Sequence, residues 1–337
     1  MVRFGIIGTG RISDWVLKGA AQDPRIKITA VCSRTAEAAE TFIARNPLAA
    51  GAKVYTSVEE MAADPQVDAV YVGTPNHTHC SYTIAALKAG KHVLCEKPLA
   101  LNAEEGRQMV QAARESGCLL MEAMVSTLNP NFIAAASRIA EIEPVRQYSS
   151  WFCQYSSKFE ALKRGEVGTA FKPGTAGALR DIGVYTLYPL VALFGKPSTI
   201  EGRLATWETP EGETDIYGTA FLGYDGMDAT LTWSKTFDSF QPTEMAGENG
   251  NLILDEIHIA RKAEIVPHAA PTSGQGPKPG RALISEGLPY NEYYYEFKEF
   301  ADLIGQGRTE SDRNSLETSL AVLEIIDRLL DIDTAKI

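Results

Sequence analysis

Several features that would place a protein in a specialised class are scarce or missing in this sequence. Its 337 residues include five cysteines, with no CxxC pair among them, and five histidines. Cys32, Cys95 and Cys118 lie in apolar runs, which indicates small buried side chains in a reducing compartment and not a disulfide framework. No apolar run reaches the roughly 18 residues that a membrane-spanning helix needs.

Positive charge is also in short supply. The chain has 32 lysines and arginines against 43 aspartates and glutamates, a formal net charge of −11. Nucleic acids and anionic membranes bind basic surfaces, so neither is expected as a partner. The first strand begins at Arg3, which leaves no room for a signal peptide, so we expect a cytoplasmic protein.

The first part of the chain alternates strand-like and helix-like segments. Apolar runs are followed by helical stretches with start and stop signals, and such alternation predicts a doubly wound parallel sheet. The length is sufficient for two domains, and we predict that the first spans residues 1–123. The predicted strands of this domain are 4–7, 26–32, 67–72, 93–95 and 118–121. Its first predicted helix ends at residue 21, and the others span 35–44, 78–89 and 103–116.

The pattern changes after Met124. Residues 228–233 alternate polar and apolar, which is typical of an antiparallel strand with one buried face. We predict that residues 124–337 form an α+β domain with a large, mostly antiparallel open sheet. Further predicted elements are a strand at 145–155, helices at 129–140, 179–194, 290–304 and 315–330, and a long loop at 267–289.

A glycine-rich turn follows the first strand. Gly8 would allow the tight turn, and Gly10 would let a pyrophosphate approach the backbone. The helix that follows would offer free N–H groups and the positive end of its dipole. Ser13 stands where the fingerprint has a third glycine, and it is small enough for close packing. The alternation and this turn together predict a dinucleotide-binding Rossmann domain over residues 1–123. The predicted dinucleotide-binding residues of this turn are Gly8, Thr9, Gly10, Arg11 and Ile12.

The second strand ends at Ser33 and Arg34. Domains that prefer NAD usually carry an acidic residue near this point to bind the ribose 2′-hydroxyl. A hydroxyl and a guanidinium instead suit a 2′-phosphate, so we favour NADP, with NAD possible. The alternative is that Arg34 is a solvated residue at a helix start.

A polar segment, Gly73 to His79, follows the third predicted strand at its carboxyl end. Thr74 and Asn76, with Pro75 between them, are expected to contact the ribose or position the nicotinamide. His77 and His79 are two residues apart at a helix start, a spacing that does not put both rings on one face, so no metal is expected. A supporting role for His79 near the cofactor is more plausible.

Glu96, Lys97 and Pro98 follow the apolar run 92–95. Ligands bind at the carboxyl ends of strands in open α/β sheets, so Glu96 and Lys97 are predicted cofactor-site residues and Lys97 a catalytic one. The alternative is a surface lysine stopped by a proline. Farther along, Asp181 and Tyr185 are four residues apart and would share one helix face. A phenol and a carboxylate near a lysine are a plausible proton-transfer set, although a buried tyrosine bonded to an acidic neighbour would give the same pattern.

Together these residues resemble the Gfo/Idh/MocA family of oxidoreductases. The resemblance covers essentially the whole chain, from the glycine turn to a late Tyr295-Glu296-Phe297 segment. It implies a Rossmann domain followed by a domain with an open sheet that often serves as the oligomer interface. Much of the family has histidine at the position of Tyr185. A tyrosine there resembles one branch of the family, which contains the dimeric dihydrodiol and D-xylose dehydrogenases and the glucose–fructose oxidoreductases. That branch is NADP-linked and uses a lysine–tyrosine pair.

The resemblance and the residues together predict an NADP-dependent dehydrogenase or reductase acting on a sugar or similar polyol. Tyr185 would exchange the hydroxyl proton, Lys97 would stabilise the oxyanion, and Asp181 would orient the substrate or the pair. A homodimer or homotetramer through the second sheet is expected. The alternative is a regulatory sensor that binds NADP and a sugar without turnover. The sequence does not indicate the substrate, the preferred direction or the roles of 151–164 and 267–289.

Overall fold

The protein is described by a computed structural model that covers residues 1–268, 280–332 and 334–336. It divides into two compact units. The first contains Met1–Val125 and Pro289–Glu324, and the second contains Ser126–Leu288 and Ile325–Ile337. The sequence-based division at 123/124 assigned residues 289–324 to the second domain, whereas in the structure they group with the first.

The first unit is built on a six-stranded parallel sheet with helices between its strands. The strand order is β3-β2-β1-β4-β5-β6, which is the order of a Rossmann fold and confirms the predicted fold class. The strands are β1 (Val2–Ile7), β2 (Ile26–Cys32), β3 (Lys53–Tyr55), β4 (Ala69–Val72), β5 (His92–Glu96) and β6 (Leu120–Ala123). The helices between them are α1 (Arg11–Ala20), α2 (Ala36–Arg45), α3 (Val58–Ala62), α4 (His79–Lys88) and α5 (Ala103–Ser116).

The late helix α10 (Tyr294–Gly305) belongs to this unit because of its aromatic side chains. Phe297 and Phe300 pack on Phe4 of β1, with ring centroids 5.3 and 5.5 Å away. All three rings are buried. Such aromatic packing contributes stability beyond the area that it buries, which explains the grouping that sequence order obscured.

The second unit contains a nine-stranded sheet in the described part of the chain. The strand order is β14-β13-β12-β11-β7-β10-β9-β8-β15. Strand β7 pairs in parallel with β10, and β8 pairs in parallel with β15. All other neighbours are antiparallel, so the sheet is mostly antiparallel, as predicted. Its strands are β7 (Val145–Cys153), β8 (Thr199–Thr209), β9 (Gly212–Tyr224), β10 (Met227–Ser234), β11 (Thr243–Gly247), β12 (Gly250–Leu254), β13 (Ala263–Pro267), β14 (Ala282–Leu283) and β15 (Thr334–Lys336).

The remaining α-helices of the described residues are α6 (Val125–Leu128), α7 (Pro130–Ala136), α8 (Phe159–Lys163), α9 (Val184–Phe194) and α11 (Leu316–Leu330), the last of which runs across the boundary between the units. Helix α7 is shorter than the helix predicted over 129–140, and the short helices α6 and α8 were not predicted. The helix predicted over 179–194 begins instead with a π-helical turn, Leu179–Gly183. The loop predicted over 267–289 lies partly outside the described residues.

Two negative findings concern residues 1–268, 280–332 and 334–336. No helix there is long and apolar enough to cross a membrane. No group of three or more histidine, cysteine, aspartate or glutamate side chains there is arranged to hold a metal ion.

Candidate active site

The glycine turn after β1 has the shape that a dinucleotide requires. Gly8 has φ +99°, and a Cβ there would lie 2.5 Å from the carbonyl oxygen of Gly73, so a side chain does not fit. A Cβ on Gly10 would meet open space. Among the described residues, no side chain caps the amino end of α1 at Gly10, which leaves its N–H groups for an anion. The turn therefore fits a pyrophosphate.

Ser13 performs the packing role of a third glycine. It is fully buried in α1, and its hydroxyl donates to the carbonyl oxygen of Gly8 over 2.8 Å. This bond ties the helix to the turn. The substitution therefore keeps the close helix–strand approach that the fingerprint requires.

The carboxyl end of β2 lies beside this turn. The hydroxyls of Thr9 and Ser33 are 3.1 Å apart, and Arg34 is exposed next to them. Arg45, which the sequence analysis did not single out, donates to the carbonyl oxygen of Thr9 at 2.9 Å and pairs with Asp14 at 2.8 Å. The end of β2 thus carries a serine hydroxyl and an exposed arginine where an NAD-preferring domain carries a carboxylate.

The segment after β4 is held by hydrogen bonds of its own side chains. The hydroxyls of Thr74 and Thr78 are 2.6 Å apart, and Thr78 also donates to the carbonyl oxygen of Pro75. Asn76 is partly exposed at the start of the 3₁₀ turn that precedes α4. These contacts fix the loop at the carboxyl end of β4.

His79 is buried and bridges two loops. Its Nδ1 lies 2.9 Å from the carbonyl oxygen of Pro98 and its Nε2 lies 2.9 Å from that of Thr74. Burial lowers the pKa of His79, although the two carbonyl acceptors oppose the shift. Its contacts link the Thr74 loop to the segment that carries Lys97, so His79 holds these two loops together.

Lys97 follows β5 and is partly buried, with Glu96 buried beside it. One Glu96 oxygen accepts from the hydroxyl of Tyr71 at 2.7 Å, and the other accepts from the backbone N–H of Lys97 at 3.2 Å. Glu296 of α10 is 1 % exposed, and its pKa is raised well above the usual range by burial and by the charge of Glu96. The strand end that carries Lys97 is therefore built on buried acidic groups.

Glu122 of β6 adds another buried carboxyl to this strand edge. It is 1 % exposed and accepts from the backbone N–H of Leu99 at 3.0 Å. Burial raises its pKa to about 7, and the charge of Glu96 adds to the shift, while the hydrogen bonds from Ser319 and Leu99 and the charge of Lys97 oppose it. Its Oε2 has no partner among the described residues.

In the second unit, Asp181 lies on the π-helical turn and Tyr185 lies in the first turn of α9. The Tyr185 ring packs edge-on against Phe152, with centroids 5.4 Å apart, and Phe152 stacks on His258 at 4.4 Å. Burial lowers the pKa of His258 to about 4, so its ring is neutral near pH 7. Tyr185 thus stands against an aromatic wall formed by Phe152 and His258.

Asp181 is held by a residue that the sequence analysis missed. Lys235, directly after β10, is 3 % exposed and donates to Asp181 Oδ2 at 2.5 Å and to the carbonyl oxygen of Ala170 at 2.9 Å. A lysine after an alternating strand gives no sequence signal for this contact. Predicting this contact would have required knowing that β10 lies under the turn that carries Asp181.

A second strand anchors the same turn. Asp215 of β9 is buried and accepts from the backbone N–H of Leu179 at 2.6 Å. Gly177 has φ +112°, and a Cβ there would lie 1.8 Å from Asp215 Oδ1, so this position requires glycine. Burial raises the pKa of Asp215, opposed by the Leu179 bond and by the charges of Arg180 and Lys235.

Known proteins are similar to this chain over nearly its whole length, and three of them serve as examples. The scyllo-inositol 2-dehydrogenase (NADP(+)) of Bacillus subtilis is 39% identical over 97% of this chain and 95% of its own. The trans-1,2-dihydrobenzene-1,2-diol dehydrogenase of Xenopus laevis is 33% identical over 98% and 97%. The crystal structure of an aldose-aldose oxidoreductase from Caulobacter crescentus shares the fold, with a TM-score of 0.82 at 22% identity over 98% and 96% of the two chains.

Family models match both parts of the chain. Residues 2–124 match an oxidoreductase family with an NAD-binding Rossmann fold, Gfo/Idh/MocA, and residues 139–253 match the C-terminal domain of the same family. The resemblance that the motifs indicated is thereby confirmed, and so is the expectation of a nicotinamide dinucleotide cofactor. The chain belongs to the Gfo/Idh/MocA family of oxidoreductases.

Proposed function

We propose that this enzyme transfers a hydride between C4 of NADP and the CH–OH or C=O carbon of a sugar or similar polyol. The similarity to the scyllo-inositol dehydrogenase, which extends over 97% of the chain, favours a polyhydroxylated substrate. The site residues described above favour catalysis over mere binding, because both Lys97 and Tyr185 are present.

The preference for NADP rests on one observation, the composition of the β2 end. The Thr9 and Ser33 hydroxyls lie 3.1 Å apart, with Arg34 adjacent in sequence and exposed. A 2′-phosphate carries nearly two negative charges and would accept hydrogen bonds from these groups. NAD has a hydroxyl in place of the 2′-phosphate, so NAD would leave the Arg34 guanidinium without an anionic partner.

For proton transfer, we propose that Tyr185 and Lys97 act on the same substrate hydroxyl. In the oxidative direction the phenolate of Tyr185 takes the hydroxyl proton, and the ammonium group of Lys97 stabilises the negative charge that develops on the substrate oxygen. A nicotinamide bound at this site would supply the acceptor for the hydride of the carbon that carries this hydroxyl. Asp181 orients the substrate through its carboxylate, and the wall of Phe152 and His258 limits access of water to the phenol.

We also propose that copies of the chain associate through the second sheet. Phe221, Thr230 and Ser149 lie opposite one another on β9, β10 and β7, and Phe221 is 56% exposed. Their sequence neighbours, such as Leu222 and Leu231, are buried on the opposite face. Light scattering of the purified protein would test this, and a monomer at all concentrations would contradict it.

A steady-state assay tests the proposed activity. The purified enzyme is given a panel of inositols and aldoses with NADP⁺ or NAD⁺, and formation of the reduced cofactor is followed by absorbance. We expect turnover with NADP⁺ and at least one polyol. Tight NADP binding without turnover of any substrate would instead support the sensor function.

A further inference from the structure

We propose that Lys235 is a positioning residue that holds the Asp181 carboxylate in its working orientation. This inference rests on the proposed function, because it assigns Lys235 a role through Asp181. Lys235 lies directly after β10. Among the described residues, its side chain contacts Asp181, Ala170 and Phe171 of the second unit.

The surroundings of Lys235 are those of a buried anchor. Its side chain is 4% exposed, and its Nζ donates to Asp181 Oδ2 and to the carbonyl oxygen of Ala170. The ammonium group also lies 4.5 Å from the centroid of the Phe171 ring. Taking an ammonium group out of water is costly unless a charged partner and further hydrogen bonds compensate for it. The Asp181 carboxylate is the charged partner that offsets the cost of burying the Lys235 ammonium group.

The exposure of the two partners is unequal. The Asp181 side chain is 42% exposed, tenfold more than that of Lys235. A carboxylate needed solely to neutralise a buried lysine would be expected to lie inside with it. Here the cation is inside and the carboxylate faces outward, so the pair presents the acid to a ligand. The pair Lys262–Glu264 has the opposite arrangement, with the lysine side chain 53% exposed and the acid 11% exposed.

The backbone of Asp181 supports the same interpretation. The π-helical turn Leu179–Gly183 is an uncommon conformation that is frequent at functional sites. Asp215 of β9 fixes the start of this turn through the N–H of Leu179, and Lys235 fixes the Asp181 side chain from β10. Backbone and side chain are thus held from two neighbouring strands, which sets the direction of the carboxylate relative to Tyr185 one turn later.

The test uses three variants of the full-length enzyme, Lys235→Met, Asp181→Asn and the double variant. Methionine keeps the buried apolar volume of the lysine stem and removes its charge. We expect Lys235→Met to lower kcat by about 10²-fold, as misplaced catalytic groups do, with unchanged affinity for NADP. In the Asp181→Asn background the same change should lower kcat no further. Lys262→Met serves as the control, and its kcat should equal that of the wild type.

Melting temperatures separate positioning from a purely structural role. Asp181→Asn leaves a buried ammonium group without its carboxylate and should lower the melting temperature by several degrees, which the double variant should restore. The double variant should nevertheless keep the low kcat. A Lys235→Met enzyme with wild-type kcat, or a double variant with restored kcat, would overturn the proposal.

Failure of the proposed function gives a different result. If wild-type enzyme turns over no polyol, the proposed activity is wrong, and the melting temperatures still decide on the pairing. Equal melting temperatures for Asp181→Asn and the double variant would then overturn the assignment of Lys235 as the anchor of Asp181. Restoration of stability in the double variant would support it.

Discussion

The substitution Glu122→Gln tests how a buried carboxyl group affects stability at the carboxyl edge of the first sheet, where Lys97 lies. Glu122 lies in β6, is 1 % exposed and accepts a hydrogen bond from the N–H of Leu99. Glutamine has nearly the same shape as the protonated acid, and its amide oxygen can keep the Leu99 bond. The substitution therefore removes one titration and preserves the packing.

The magnitude follows from the shift in pKa. Burial raises the pKa of Glu122 from 4.5 to about 7, so the folded protein binds this proton more tightly than the unfolded chain. The stability that the protonated group contributes is fully present below pH 4.5 and is lost as the pH rises through about 7. At 1.36 kcal/mol per pKa unit, the loss amounts to roughly 3 kcal/mol. The glutamine variant does not undergo this loss.

Unfolding is measured by calorimetry at several pH values from about 5 to about 8, on wild type, Glu122→Gln and the exposed control Glu115→Gln. The melting temperature of Glu122→Gln should rise relative to wild type as the pH increases. Roughly 3 kcal/mol corresponds to several degrees, at about 2–4 °C per kcal/mol for a cooperative unit of 150–250 residues. The control should run parallel to wild type. A constant difference between Glu122→Gln and wild type over this range would refute the reasoning, because Glu122 would then not titrate there.

Three further predictions concern the proposed chemistry. Tyr185→Phe removes the phenol and keeps the ring, so kcat should fall by ~10²–10⁴ with little change in melting temperature; loss of stability with normal kcat would indicate a packing role. Lys97→Ala should lower kcat by ~10²–10³ and leave NADP binding nearly intact, and a rate close to wild type at saturating substrate would exclude the oxyanion role. Arg34→Ala should weaken NADP binding by about 10- to 150-fold and spare NAD, in titrations of both cofactors; equal losses would show that Arg34 does not contact the 2′-phosphate.

The first unit was predictable because its signals are local. The turn at Gly8 and Gly10 requires a conformation that few residues adopt, and the strand–helix alternation from residue 4 to 121 permits few topologies. The predicted strands correspond to β1, β2, β4, β5 and β6. The short strand β3 was missed, since Lys53–Tyr55 is three residues long and has no alternation to detect.

The contacts that hold the site were not predictable, because they join residues far apart in sequence. Lys235 reaches Asp181 across 54 positions, and Asp215 reaches Leu179 across 36. The packing of Phe297 on Phe4 likewise assigns α10 to the first unit in spite of its late position. Periodicity identifies which side chains are buried, but it does not identify which element covers them.

Several features that cost stability occur at the proposed site. Glu96, Glu122 and Glu296 are buried carboxyls at or beside the strand end of Lys97, and Lys235 and Asp215 are buried charged side chains under the Asp181 turn. Buried ionisable groups and π-helical turns lower stability unless the surrounding structure compensates for them. Natural proteins depart from local folding rules mainly where function requires it. Their presence beside Lys97 and under the Asp181 turn therefore favours, independently of sequence similarity, the roles proposed for these two residues.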